Sequence, residues 1–290
     1  MSTRINTNLN ALNALKSLND VNNKLSVSQL RLATGKRINT AADDAAGYSI
    51  AKKFNARAEG LGQALNNIGS AKNLIAVAEG NLNNIVDILT QMKTKATQAA
   101  DDSLGSAERD AIKAELQKLN NQIDLEVEQS TWNGNTIFKK GTNATFNFQI
   151  GAGSSSTNDT LVFNLLSSTN VTFTSGSSSY KTAGLNVTVG STSVSSSAYA
   201  QGLMSKIDNA IADVSEALSY IGSVTNRLTY QETSLTVAKT NTEAARSRIE
   251  DADMAFEQLQ ATKLQILQQT ASAMLSQANT GPQSILTLFR

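Results

Sequence analysis

From Ile68 onward, apolar residues return at alternating steps of three and four: Ala71, Ile75, Ala78, Leu82, Ile85, Leu89, Met92, Ala96 and Ala99. An α-helix places such a series on one stripe, so the run predicts a helix of about nine turns presenting a coiled-coil seam. A helix that long needs other long helices to cover its stripe, which points to a rod-like bundle and away from a globule with one deep core. Upstream, Thr40-Ala-Ala-Asp43 reads as a capping box opening a helix through Ala45 to Arg57, its continuity weakened by Gly60, Gly62 and Gly69. Beyond a polar break at Asp101 to Gly105, the positions Ile112, Leu116, Leu119, Ile123 and Val127 repeat the helical spacing and run to the turn at Asn133-Gly134. The period returns at Ile207, Ile211, Val214, Leu218, Ile221, Thr225, Leu228, Glu232 and Leu235, a helix expected to run antiparallel to the first.

Between these helices the texture changes. Ala144 to Ile150, Thr160 to Leu165, Asn170 to Thr174 and Leu185 to Val189 cluster β-branched and aromatic residues between Gly, Ser and Asn, and read as short hairpin strands. Residues 151 to 200 hold 22 Ser or Thr, with Asp159 and Lys181 as the only charges, which suits an exposed subdomain with mobile loops at Gly151 to Asn158 and Ser175 to Ser179. Trp132 reads as an apolar anchor under the first hairpin. The expected fold is mainly α: an elongated antiparallel helical bundle or coiled coil with a small β-hairpin subdomain in mid-chain. Its segments are 1–42, 43–135, 136–198, 199–242 and 243–290.

Both ends are amphipathic. Ile5, Leu9, Leu12, Leu15, Leu18, Val21 and Leu25 mark the first, and Phe256, Leu259, Leu264, Leu267, Ala271 and Met274 the last. The C-terminal series from Leu264 has the coiled-coil period and suits one neighbour. The N-terminal steps average about 3.3, so at roughly 100° per residue the apolar line drifts around its helix and asks for neighbours on more than one side. Copies of the chain packing head to tail would supply them and generate a filament. An intramolecular four-helix bundle is the competing reading of the same periodicity.

Composition narrows the chemistry. The chain has no Cys and no His, which removes thiolate nucleophiles, imidazole bases and most zinc, copper and haem sites. We expect no enzyme, no catalytic residues, no cofactor and no metal. Residues 1 to 60 carry nine basic and four acidic side chains, interspersed and with few aromatics, so nucleic-acid binding is not indicated. Met1 to Leu25 has no continuous apolar run able to form a signal-peptide core or a membrane span.

Leu32-Ala-Thr-Gly-Lys-Arg-Ile-Asn39 followed by Asp43-Asp-Ala-Ala-Gly47 resembles the N-terminal signature of bacterial flagellins. Ala245-Arg-Ser-Arg-Ile-Glu-Asp-Ala-Asp253, Gln265-Ile-Leu-Gln-Gln269, Gln277-Ala-Asn279 and the close from Pro282 to Arg290 resemble the C-terminal one. The resemblance implies a structural subunit that polymerises with itself into the extracellular flagellar filament used for motility. Terminal helices would form an inner coiled-coil tube, with the centre of the chain facing solvent. It further implies secretion through the flagellar type III apparatus and dealings with an export chaperone, a filament cap and junction proteins. A hook-filament junction protein and a periplasmic filament subunit are the alternatives. Family likeness also implies a face read by a vertebrate innate immune receptor, here Gln91, Lys95 and Glu115, although Gln91 and Lys95 stand where the family usually has Arg and Leu; plain solvent-facing residues are the competing reading. Sugars on exposed hydroxyls would fall on Ser154, Ser155, Ser156, Thr157, Ser177, Ser178 and Ser179.

Overall fold

The computed structural model describes residues 8–138, 145–155, 158–165, 180–190 and 194–288, with side chains described as far as 280. Its elements are α1 (Leu9–Thr34), α2 (Ala45–Ala99), α3 (Ser106–Gln129), β1 (Thr131–Trp132), β2 (Asn135–Thr136), β3 (Phe146–Gln149), β4 (Thr160–Phe163), α4 (Ser197–Glu250) and α5 (Met254–Leu288). They form two compact units, one of Glu59–Lys239 and one of Met1–Ala58 with Thr240–Arg290.

In the first unit α2 and α4 run antiparallel, as their cross-links show: Lys72 pairs with Glu232, and further along α2 Lys93 pairs with the lower-numbered Asp208 at 2.6 Å. Helix α3 folds back along α2, tied by Lys95 to Glu115 at 2.9 Å and by Asn81 Nδ2 donating to Ser130 Oγ at 2.7 Å. Every predicted position from Ile68 to Ala99 is buried. Gly60, Gly62 and Gly69 leave α2 unbroken, because tertiary burial outweighs a glycine cost of about 1 kcal/mol each.

The α4 seam departs from the expected one in an instructive way. Ile207, Val214, Ile221, Leu228 and Leu235 are buried as expected, but the intervening positions are Ala210, Ala217 and Val224, one residue before Ile211, Leu218 and Thr225. At the first two, bulky side chains guided the sequence reading, whereas close packing of two helices selects small ones where backbones approach. Ile211 and Leu218 flank the core, half-buried.

The α2–α3 turn is held by one side chain. Arg109 is buried; its Nη2 donates to the Asp101 carbonyl at 2.8 Å and its Nε to the Leu104 carbonyl at 3.4 Å, with the Asp102 carboxylate 3.3 Å away. These bonds tie down the carbonyls of Asp101 and Leu104 in the turn between α2 and α3, the former also accepting from the Leu104 N–H at 3.4 Å.

Strands β1 and β2 pair around Asn133 and Gly134, whose φ of 49° and 79° are those of the tight hairpin turn that Asn-Gly favours. Trp132 is half-buried against the core. Strands β3 and β4 pair antiparallel, Phe146 opposite Phe163, and Phe163 stacks on Tyr220 of α4 with centroids 6.1 Å apart. Leu185 to Val189 forms no strand. Leu185, Val187 and Val189 are buried as an irregular strap, anchored by Thr182, which donates its N–H and hydroxyl to Asp124 Oδ1 at 2.9 and 3.1 Å, and by the Lys181–Glu128 ion pair. Alternate apolar residues therefore signal one buried side and not a ladder. Residues 170–174 lie outside the described residues.

Candidate assembly surface

Helices α1 and α5 of the second unit lie antiparallel, and three polar bonds spaced along them set the register. Asn8 Nδ2 donates to the Ala278 carbonyl at 2.8 Å, Gln268 Nε2 to Asn22 Oδ1 at 2.8 Å, and Arg31 Nη1 to Glu257 Oε1 at 3.1 Å. Glu257 is buried, so this pair is screened less than a surface one. Between the ties the inward residues keep an uninterrupted heptad: Ala14, Leu18, Val21, Leu25, Ser28 and Leu32 on α1 meet Ala261, Leu264, Gln268, Ala271, Leu275 and Ala278 on α5. Seven of these twelve are Ala, Ser, Gln or Val and the other five are Leu.

Beyond the seam both chains break and are bound together. Gly35, at φ 70°, ends α1 in the left-handed conformation that glycine accepts without strain, its N–H donating to the Arg31 carbonyl at 2.9 Å. The Arg37 N–H donates to the Glu250 carbonyl at 2.7 Å, the Ala252 N–H to the Gly35 carbonyl at 2.9 Å, and Lys36 Nζ reaches Glu250 at 2.6 Å. Asp43 Oδ2 accepts from the N–H groups of Thr40 at 2.9 Å and Asn39 at 3.1 Å, which holds its carboxyl below the usual range. The expected capping box is thus half formed. Helix α2 is capped instead by Asp44, four residues past Thr40, with Asp44 Oδ1 accepting from the Gly47 N–H at 3.0 Å. At Gly47 a Cβ would lie 2.5 Å from Asp44 Oδ2 and 2.7 Å from Ile38 Cδ1, so a larger residue would push both side chains aside.

The bulkiest apolar side chains of the pair point the other way. Leu9 is 67% exposed, Phe256 58% and Leu259 64%, and Leu12, Leu15, Val27, Leu30, Met254, Ile266, Leu267 and Met274 are exposed as well. A groove of about 620 Å³ runs between the helices, lined by Ala14, Val21, Leu267, Ala271 and Met274 among others. Of the expected seam residues, Leu25 and Leu264 are buried within the pair and Leu18, Val21 and Ala271 are half-buried there. Leu9, Leu12, Leu15, Phe256, Leu259, Leu267 and Met274 are not brought into it, and Ile5 lies outside the described residues. Within the pair, the α5 seam takes Leu264 and Ala271 together with Gln268 and Leu275, the residues that follow Leu267 and Met274. Ala261, Ser28 and Gln268 escaped the sequence reading because two of them are small and one is polar.

Outside the pair, Gln91 is exposed and Lys95 and Glu115 are joined as an ion pair between α2 and α3. Ser154 and Ser155 are exposed; Ser156, Thr157, Ser177, Ser178 and Ser179 lie outside the described residues. Among the described residues no three His, Cys, Asp or Glu side chains gather to hold a metal ion, and no helix is long and apolar enough to cross a membrane.

Residues 5–143 match the bacterial flagellin N-terminal helical region and residues 204–289 the bacterial flagellin C-terminal helical region. A flagellin of Halalkalibacterium halodurans is 33% identical over 286 residues, 99% of each chain. This chain belongs to the bacterial flagellin family. The 33 kDa flagellar filament core protein of Treponema phagedenis is 30% identical to this flagellin over 290 residues, again 99% of each chain. Among solved structures, a Vibrio parahaemolyticus protein of the flagellar hook-associated type shares the fold at a TM-score of 0.60, with 15% identity, covering 72% of this chain and all of that one. Flagellins are structural proteins that polymerise, and this one is a structural subunit of the flagellar filament. The exposed apolar residues of α1 and α5 therefore sit on a molecule whose work is to bind its own copies.

Proposed function

We propose that this flagellin assembles through the outward faces of α1 and α5, with Leu9, Leu12, Leu15, Phe256, Leu259, Leu267 and Met274 covered by neighbouring copies. One observation carries the reading: the intramolecular seam mixes Leu with Ala, Ser and Gln, while Leu9, Leu12, Leu15, Phe256, Leu259, Leu267 and Met274 face outward and are exposed. At about 25 cal/mol per Å² of apolar area removed from water, a surface of that kind stabilises the polymer far more than the isolated subunit. Segments 1–42 and 243–290 are the parts that pack together, 43–135 and 199–242 supply the helical body, and 136–198 remains in contact with solvent. Ser154 and Ser155, exposed on a Ser-rich loop, are the positions best suited to carry sugars.

The filament is external and its subunit secreted by the flagellar type III route, with an export chaperone, a filament cap and junction proteins as partners. Lys95 and Glu115 are engaged with each other, so receptor recognition through Gln91, Lys95 and Glu115 would have to break an ion pair first. A periplasmic filament is the second reading, favoured by end-to-end similarity to the Treponema phagedenis core protein. The hook-associated likeness, at 15% identity, speaks for shared fold alone.

Electron microscopy of purified subunit added to short sheared seeds tests the main reading. Seeds should lengthen into uniform filaments, and truncation of 1–30 or 255–290 should stop growth while α2, α3 and α4 stay folded. Growth by either truncated chain would overturn the assignment.

A further inference from the structure

Sulfur is distributed unevenly over this subunit. The chain has five Met and no Cys, so thioethers are its only readily oxidised sulfur. Met92 is fully buried at 0% exposure in the α2 seam. Met204 is half-buried, and its sulfur accepts from Thr97 Oγ1 at 3.8 Å. Met254 and Met274 are 47% and 61% exposed, and both lie on α5, Met274 on the rim of the groove with Leu267 and Val21. Met1 lies outside the described residues.

We propose that Met254 and Met274 form an oxidation site that controls whether a free subunit can join a filament. The reactant is a peroxide. Its electrophilic oxygen is transferred to the thioether sulfur, the O–O bond breaks, sulfide is oxidised to sulfoxide, and hydrogen peroxide is reduced to water. The product is polar and carries a strong acceptor oxygen in place of a soft apolar edge. On the free subunit that oxygen stays hydrated and disturbs nothing. In a filament, where the inference rests on the assembly face proposed above, the same oxygen would exchange bulk water for a groove that holds Ala14, Val21, Leu267 and Ala271 beside a few polar side chains, of which the Thr270 hydroxyl already donates to the Ile266 carbonyl, so the oxidised subunit is disfavoured. Subunits already assembled have these sulfurs covered, which protects an existing filament while free subunits in an oxidising environment are removed from growth. A sulfoxide reductase would restore them.

The test treats free subunits with hydrogen peroxide, removes it, and follows peptide masses, helicity and seeded elongation. Met254 and Met274 should each gain one oxygen before Met204, with Met92 last, helicity unchanged and elongation slowed about ten-fold or more. Reduction of the sulfoxides should return the rate. The double variant Met254→Leu with Met274→Leu, measured against its own untreated rate, should lose none of that rate after peroxide. Oxidised parent that elongates normally, or a double variant equally slowed by peroxide, overturns the proposal. The assembly reading fails separately: if Leu259→Asp elongates as well as untreated parent, the face is wrong whatever oxidation does.

Discussion

Two helical seams in this flagellin obey the same 3–4 period and do opposite things with it. Along α2 and α4 the seam holds Ile, Leu and Met with alanines between, buried nearly to zero exposure, and the unit has what it needs from its own chain. Along α1 and α5 the seam mixes leucines with Ala, Ser and Gln, and Phe256, Leu259 and Leu9 are left in water. Periodicity alone does not separate a finished core from half of an interface; the bulky residues left exposed beside the seam do. Exposed apolar area of this kind on a monomer marks a binding surface.

The comparison breaks most visibly under substitution in the first seam. Leu89→Ala should cost about 2–5 kcal/mol of subunit stability, read as a lower urea midpoint. Leu259→Asp should leave that midpoint within about 0.5 kcal/mol while slowing seeded elongation roughly a hundred-fold, as expected for a charge that must be buried unpaired. Equal loss of stability in the two variants would erase the distinction between the regions.

A smaller effect is expected at the α2–α3 turn. Arg109→Ala removes donors from two carbonyls and should cost about 1–3 kcal/mol, without changing elongation once the subunit is folded. A variant that stays fully stable would show that the carbonyls of Asp101 and Leu104 are satisfied in another way.

The smallest effect concerns pH and acts within the first unit alone. Burial, and then the neighbouring Glu216, raise the Asp213 carboxyl above its ordinary 3.8. A carboxyl raised on folding favours the protonated native state, so its stabilisation is complete below the unfolded value and lost as pH rises through the folded one. Asp213→Asn should therefore raise the melting temperature at neutral pH and match the parent below about pH 4. A gain that persists in acid would assign the effect to packing. Asp43 titrates in the opposite sense, its lowered carboxyl stabilising the connector at neutral pH and ceasing to do so as pH falls below its usual range.

Much of the architecture was legible in the residues. The α2 seam is burial for burial the one the spacing predicts, because its stripe is long and mostly bulky. Where the reading slipped, in α4, it slipped by one residue at every other position, twice from an alanine to an adjacent large residue: Ala210 to Ile211 and Ala217 to Leu218. Helix contacts choose residues by how closely two backbones approach, which a search for large apolar side chains does not register. Arg109 and the Arg31–Glu257 pair escaped for a different reason: their partners come from another turn or from the opposite end of the chain, at separations no local pattern encodes. Leu185 to Val189 carried the alternation of a strand without a partner strand, and the fold uses it as a strap.

Because the chain has no Cys, a single engineered thiol reports its own surroundings without background. Leu259→Cys should react rapidly with a water-soluble maleimide in the free subunit and become protected in seeded filaments, while Ser154→Cys reacts equally in both. Equal labelling of Leu259→Cys in subunit and filament would contradict the account, since the largest exposed side chains of α5 would then be left in water by the very assembly they are held to drive.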